Sequence, residues 1–367
     1  VPGELLRERA GVARLVAGRV GAADDLRAEA GQRRLDGQDL VAAEHAAVDA
    51  VAAHQARAGD AGAEDDDVHE GLQVGAAQRL AVTQSAVSQR LRALEAQVGQ
   101  PLVVRSRPLA LTEAGKVLLR FARQWQALRA ELGRTLGAVA GGERVPVAVD
   151  ADSLATWVPQ ALDPVVQAGL HEGYGLELVV DDQDFTHEWL RQGAVLGCVS
   201  TVDQALRGCA LRPLGVMHYT AVASPRFVQA QLPRGLGPDN FARVPFLVYN
   251  RKGDMQAQWV ARAFGAVAPR LQERYVPSSE AYVRAATLGW GVGVAPWIQV
   301  RAAVAAGALL ALAPAVTVPV ALYWHQWQFG QAADARAPGL VERIGAALAR
   351  GAQAVLSAAD ARPVAAA

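Results

Sequence analysis

Disulfide bracing is excluded first, because Cys198 and Cys209 are the only two cysteines in 367 residues. Two thiols make no disulfide framework and suit a reducing compartment, and the ten residues between them match no zinc-site spacing, so no metal is expected. No apolar run reaches the roughly 18 residues of a membrane-spanning helix. The first 30 residues carry Glu, Arg and Asp throughout, which leaves no apolar stretch for a signal peptide. A cytoplasmic chain without a membrane partner is therefore expected. The seven histidines are scattered, and no Ser/His/Asp arrangement has sequence context, so no catalytic residue and no enzyme activity are expected. Gly289, Gly291 and Gly293 spell GxGxG ahead of a candidate strand, whereas a dinucleotide fingerprint follows one, so no nucleotide cofactor is expected either.

What is present is charge segregation. The chain is neutral overall, yet residues 1–74 hold eight Arg against fifteen Asp and Glu, while residues 75–134 hold ten Lys and Arg against three Glu. A basic block of this length in a neutral chain is the electrostatic footprint of a nucleic-acid-binding module, although a solvated helix face also carries such charge. Residues 1–74 contain no Phe, Tyr, Trp, Ile, Met, Lys, Ser, Thr, Asn or Cys. Without large apolar side chains a core is hard to build, so this segment is expected to be disordered or loose Ala-rich helix. The same restricted composition results when GC-rich DNA is read in the wrong frame, and a mistranslated segment is the companion expectation.

Beyond it, Ala76, Ala77 and Leu80 suggest one short helix, and Thr83 is a good N-cap for a second. Val87, Leu91, Leu94 and Val98 form one apolar stripe on that second helix. Ser85, Ser88, Gln89 and Arg92 repeat the spacing on the other face, which is short, polar and cationic and so suited to base edges and phosphates in a major groove. The pattern alone fits an amphipathic surface helix equally well. Residues 101–111 read as two short strands with Arg105 and Arg107 at the tip between them. Thr112 then caps a helix running to about Gly137, on which Leu118, Phe121, Trp125, Leu128 and Leu132 are spaced 3, 4, 3, 4. That is a heptad seam for pairing with a second copy, unless the helix packs on its own domain. Gly141 and Gly142 make a hinge. From Val145 onward, strands are expected at 145–149, 176–180, 195–199, 219–223, 246–249, 292–295 and 318–324, alternating with helices as in mainly parallel sheets, and a final helix at 338–357. Trp324, His325 and Trp327 alternate in a strand and read as packing.

The string AAQRLAVTQSAVSQRLRALEAQVGQPLVVRSRPLALTEAG resembles the winged helix-turn-helix of LysR-type transcriptional regulators in motif, wing and long helix, in that order. The resemblance implies an α/β protein with an N-terminal winged helix-turn-helix, a long dimerisation helix and a two-lobed, periplasmic-binding-protein-like effector domain. It implies double-stranded promoter DNA as a partner, self-association as dimer or tetramer, and RNA polymerase as a further partner. DNA contacts are then expected from Thr83, Gln84, Ser85, Ser88, Gln89, Arg92, Arg105 and Arg107. The expected divisions are 1–74, the atypical segment; 75–111, the winged helix-turn-helix; 112–142, the linker helix and hinge; and 143–367, the effector domain. Within the last, lobe one covers about 143–218 and 319–360, and lobe two about 219–318. Members normally carry another helix just before Ala76, and residues 50–74 lack its Leu/Phe-rich pattern. That break points to a frameshift or mistaken start upstream of about residue 75.

The effector half is similar to the ArgP/LysG subgroup through DADSLATW, LRQGAVLGCVS, GDMQAQWV, PSSEAYV and LYWHQW. The subgroup implies lysine or arginine as small-molecule effector. Ser153, by its place between strand and helix, can cap the helix; Ser200 ends another strand; Ser278 and Ser279 open a third helix. Helix N-termini of this kind suit a ligand α-carboxylate. Asp150, Asp152, Asp182, Asp254 and Glu280 are acids near those ends, able to pair with an ammonium or guanidinium group, or, for Asp152 and Glu280, merely to complete N-caps. The rival function is a solute-binding type of amino-acid-binding protein that has lost DNA binding.

Overall fold

A computed structural model describes residues 83–104, 110–135, 143–267, 269–328 and 338–356. The expectations for residues 1–74, for the helix at Ala76–Leu80, for Arg105 and Arg107, and for the Gly141–Gly142 hinge lie outside the described residues.

The N-terminal unit comprises α1 (Gln84–Val98), the two-residue strands β1 (Val103–Val104) and β2 (Ala110–Leu111), and the long helix α2 (Glu113–Thr135). Thr83 caps α1 as expected, its hydroxyl accepting the Ala86 N–H at 3.2 Å, and Gly99 ends the helix in the left-handed region at φ +73°. The Glu95 carboxylate reaches past that end and accepts the Leu102 N–H at 2.9 Å, fixing where the wing begins. Leu94, Leu102 and Val103 are buried, and Leu91, Leu111, Ala114 and Leu118 pack around them. The Thr-Glu-Ala-Gly entry to α2 has a physical reason. Thr112 accepts the Gly115 N–H at 3.0 Å and donates to the Pro101 carbonyl at 2.7 Å. A β-carbon at Gly115 would stand 2.0 Å from the Leu102 carbonyl oxygen, so only glycine lets α2 lie against the wing.

The second unit begins with β3 (Glu143–Asp150), α3 (Ala151–Thr156), α4 (Val158–Glu172), β4 (Tyr174–Asp181), α5 (Thr186–Arg191) and β5 (Gly197–Ser200). The chain crosses on β6 (Cys209–Ala223) into α6 (Pro225–Gln231), β7 (Pro245–Val248), α7 (Met255–Phe264), β8 (Gln272–Tyr275), α8 (Ser279–Thr287), β9 (Gly293–Pro296), α9 (Trp297–Ala305) and β10 (Leu310–Leu312). It returns on β11 (Val318–Trp327) to α10 (Leu340–Val355). One sheet runs through both lobes in the order β10-β6-β11-β5-β3-β4, with β9 also paired to β6. Buried Val147, Val149, Leu162, Leu190, Val199, Trp324, Ile344 and Leu348 fill the first lobe; Leu247, Tyr282, Ala286, Val300 and Leu309 fill a second cluster in the other.

The sheet is not mainly parallel. β3 pairs in parallel with β4 and β5, but β6 and β11 are antiparallel to every strand they touch. The chain leaves lobe one on β6 and comes back beside it on β11, so the two crossing strands lie head to tail; residue periodicity carries no such direction. β6 also begins ten residues before the expected 219–223 strand, so the boundary expected between 218 and 219 falls inside a continuous strand. Its first part contains Pro213 and Gly215, which break a strand pattern. The ladder absorbs them with a bulge: Leu322 pairs with Gly215 and Tyr323 with Pro213, leaving Leu214 as an extra residue. Trp324, His325 and Trp327 are buried in β11, as packing residues should be.

The long helix also touches the second unit. The Arg120 guanidinium lies 5.4 Å from the ring centres of both Phe121 and Trp327. At Gly193, which adopts φ +73°, a β-carbon would stand 2.7 Å from the Arg120 Cα.

Candidate effector cleft and DNA-binding helix

On α1, Ser85, Gln89 and Arg92 are exposed on one face and Ser88 is half-buried. That face is turned away from the Leu94 cluster, so the polar residues are presented outward together. The Gln84 side chain, like Arg105 and Arg107, lies outside the described residues. On α2, Phe121, Trp125 and Leu128 are 57%, 64% and 51% exposed, a row of large apolar groups left uncovered by their own chain. Leu118 is different, since it packs on the wing cluster, and the Leu132 side chain is outside the described residues.

The cleft forms where β3 and β4 end facing the Tyr249–Gln256 loop and the start of α8. Asp150, Asp152, Asp181, Asp182, Asp184 and Asp254 all line it. Asp150 is the last residue of β3 and the N-cap of α3, accepting the Ser153 N–H at 2.7 Å through Oδ1. This corrects the expectation for Ser153: it is inside the helix, fully buried, and is capped rather than capping, because the carboxylate three residues earlier already fills the cap position. Asp152 uses both oxygens across the cleft, accepting from the Ser279 hydroxyl at 2.6 Å and from the Tyr219 hydroxyl at 2.8 Å. Ser279 is held in turn by the Gln299 amide, which donates to its hydroxyl at 3.0 Å. Asp182 accepts from the Asn250 amide at 3.2 Å.

Burial pushes Asp150 up to about 6, against the pull of the Ser153 hydroxyl and N–H. Burial raises Asp152 and Asp182 as well, opposed by their hydrogen bonds from Ser279, Tyr219 and Asn250. Tyr219 and Tyr249 are pushed up by burial and by the aspartates they face. Among the described residues, the one cation paired with a cleft aspartate is Lys252, 3.4 Å from Asp181. The cleft is thus a partly open set of carboxylates short of positive charge, and the group that would satisfy it is a compact organic cation. No cluster of His, Cys, Asp and Glu able to hold a metal occurs among the described residues.

Of the sequence-derived effector residues, Asp150, Asp152, Asp182, Asp254 and Ser279 line the cleft. Ser200 is buried at the end of β5 and accepts the Val202 N–H at 3.2 Å. Ser278 caps α8, accepting the Ala281 N–H, and Glu280 is exposed in its first turn. These two and Ser153 and Ser200 are not brought into the lining. Sequence reasoning missed Asp181, Gln183, Asp184, Tyr219, Tyr249, Asn250 and Gln299. A signal existed for the first three: Asp181–Asp184 reads DDQD at the C-terminal end of a strand, a place where α/β sheets bind ligands.

A helix-turn-helix unit and a two-lobed ligand-binding unit on one chain define a ligand-responsive DNA-binding protein. The description "Bacterial regulatory helix-turn-helix protein, lysR family" matches residues 68–116, reaching back into the compositionally distinct segment, and "LysR substrate binding domain" matches 141–349. The chain belongs to the LysR family of transcriptional regulators: a binder of promoter DNA that forms oligomers, and not an enzyme. It is 41% identical over 257 residues to the HTH-type transcriptional regulator ArgP of Aeromonas salmonicida, covering 69% of this chain and 84% of that one. Among solved structures, ArgP from Mycobacterium tuberculosis superimposes with a TM-score of 0.67 at 32% identity, over 89% of this chain and 100% of that one. Full-length LysG from Corynebacterium glutamicum with bound effector Arg gives 0.58 at 31% identity, over 78% and 94%.

Proposed function

We propose that this protein is a cytoplasmic transcriptional regulator that takes lysine or arginine into the cleft between its lobes. The observation that carries the reading is the cleft wall: six aspartates, with Lys252 the one cation paired to any of them among the described residues. A neutral or acidic amino acid brings no net positive charge to those carboxylates, whereas lysine or arginine adds a side-chain ammonium or guanidinium group that pairs with them. The arginine in the related LysG structure supports the same class of ligand. Absence of any described helix long and apolar enough to cross a membrane agrees with cytoplasmic placement. Ser85, Ser88, Gln89 and Arg92 are assigned to the DNA, and Phe121, Trp125 and Leu128 to the helix that pairs with a second copy. Effector binding shifts the balance between lobe arrangements and so the spacing of the paired DNA-binding helices. Calorimetry of the full chain against all twenty amino acids tests this. Lysine or arginine is expected to bind; binding by neutral or acidic amino acids alone refutes it.

A further inference from the structure

The loop Tyr249–Asp254 crosses the mouth of the cleft, and its shape is set locally. The Asn250 side-chain oxygen accepts the Lys252 N–H at 2.7 Å and the Gly253 N–H at 3.0 Å, so the three residues form a fixed turn. The same Asn250 donates its amide to Asp182 on the opposite lobe at 3.2 Å. Gly253 passes so close that a β-carbon there would stand 3.1 Å from Asp182 Oδ2. The turn carries the Lys252 ammonium to Asp181 at 3.4 Å and to 4.9 Å from the centre of the Phe185 ring. Asp181 is already rigid, because its oxygens accept the Asp182 N–H at 2.8 Å and the Trp189 indole N–H at 3.0 Å. Arg251, next in the chain, points elsewhere and lies 4.7 Å from the centre of the Tyr275 ring.

We propose that Lys252 is a built-in competitor for the effector: from the rim of the cleft, outside its lining, its ammonium is held by the 249–254 strap on Asp181 and withholds that lining carboxylate until a basic amino acid displaces it. The inference rests on the reading of the cleft as a basic-amino-acid site. A primary ammonium resting on a carboxylate and an aromatic face reproduces the contacts that a lysine side chain would seek there. The remaining cleft aspartates are left for the incoming cation, so the exchange goes forward once the effector is abundant. The strap thereby sets a threshold concentration, rejecting basic amino acids at low levels.

The test is calorimetric titration of lysine and arginine into the full chain, with Lys252→Met and Arg251→Met as paired variants. Lys252→Met keeps the length of the side chain and removes its charge. Affinity for at least one of the two ligands is expected to rise about three- to fivefold in Lys252→Met, the most a half-exposed ion pair gives, and to stay within about twofold in Arg251→Met. Unchanged or weaker binding in Lys252→Met overturns the inference, since a latch that helps hold the ligand would weaken on removal. Equal tightening in both variants also overturns it, because the general field of the loop would then suffice. If no variant and no wild-type sample binds either amino acid, the cleft reading itself fails and takes this inference with it. Melting curves of each variant without ligand separate a misfolded sample from a true change in affinity.

Discussion

Replacing Asp150 by Asn is expected to make the protein more stable at neutral pH while weakening the cleft. In the folded chain, burial raises this carboxyl from 3.8 to about 6. A raised carboxyl binds its proton more tightly in the folded state than in the unfolded one. The contribution of this one group to stability is therefore full below about 4, falls as pH rises through the interval to 6, and is lost above it. The shift corresponds to about 3 kcal/mol of lost stability at pH 7.5. Asparagine keeps an oxygen for the Ser153 N–H, so the helix cap survives the change. At roughly 2–4 °C per kcal/mol for a unit of this size, Asp150→Asn should melt about 6–12 °C higher at pH 7.5. The gap should close near pH 4, where the native residue is already protonated. Thermal melts of both proteins across pH 4–8 check this. A variant that melts at or below the wild-type temperature at pH 7.5 would show that Asp150 is not strained by burial. Stability given up at a ligand site in exchange for affinity is a common trade, and added lysine or arginine should stabilise the wild type more than the variant.

Trp125→Glu is expected to yield monomers by light scattering, because each copy forfeits roughly 1.5–3 kcal/mol of apolar burial and would bury a charge instead; an unchanged oligomer removes α2 from the interface. Affinity for operator DNA should fall steeply with salt, and Arg92→Ala should weaken binding and flatten that slope by about one counterion, as band-shift titrations at several salt concentrations will show. Gly193→Ala must strain a φ of +73° and push the Arg120 backbone away. A loss of about 1–3 kcal/mol is expected, with faster proteolysis between α2 and β3; a silent substitution would mean that the helix does not rest there.

The elements that sequence reading located best are the buried runs at β3, β5 and β9, whose residues face the core. On α1 the stripe is buried at Leu94 while Val98 is exposed, and on α2 the heptad row divides between Leu118 on the wing cluster and the exposed Phe121, Trp125 and Leu128. Only the last third of β6 is legible in the sequence, since Pro213 and Gly215 sit where the ladder bulges and the pattern is lost with them. Sheet direction was misjudged because side-chain alternation is the same in parallel and antiparallel strands. Acids and serines near helix starts include Asp150, Asp152, Asp182, Asp254 and Ser279, which line the cleft, and Ser153, Ser200 and Ser278, which do not. Ser153 and Ser200 are spent on local hydrogen bonding or burial, and Ser278 on its own helix. Tyr219 and Asn250 contact Asp152 and Asp182, 67 and 68 positions away, which no local pattern announces.

The β6–β11 pair has a mechanical consequence. Two hydrogen-bonded strands, rather than two loose segments, connect the lobes, so the lobes cannot swivel freely. Flexing such a ribbon out of its own plane keeps the ladder bonds intact, while sliding or splaying it within the plane breaks them. The ladder bonds therefore favour bending of the ribbon over sliding, and the pairing is interrupted at Leu214. At the far end of the ribbon, Trp327 meets Arg120 of the long helix, so a lever arm is already engaged with the part of the molecule that holds the DNA.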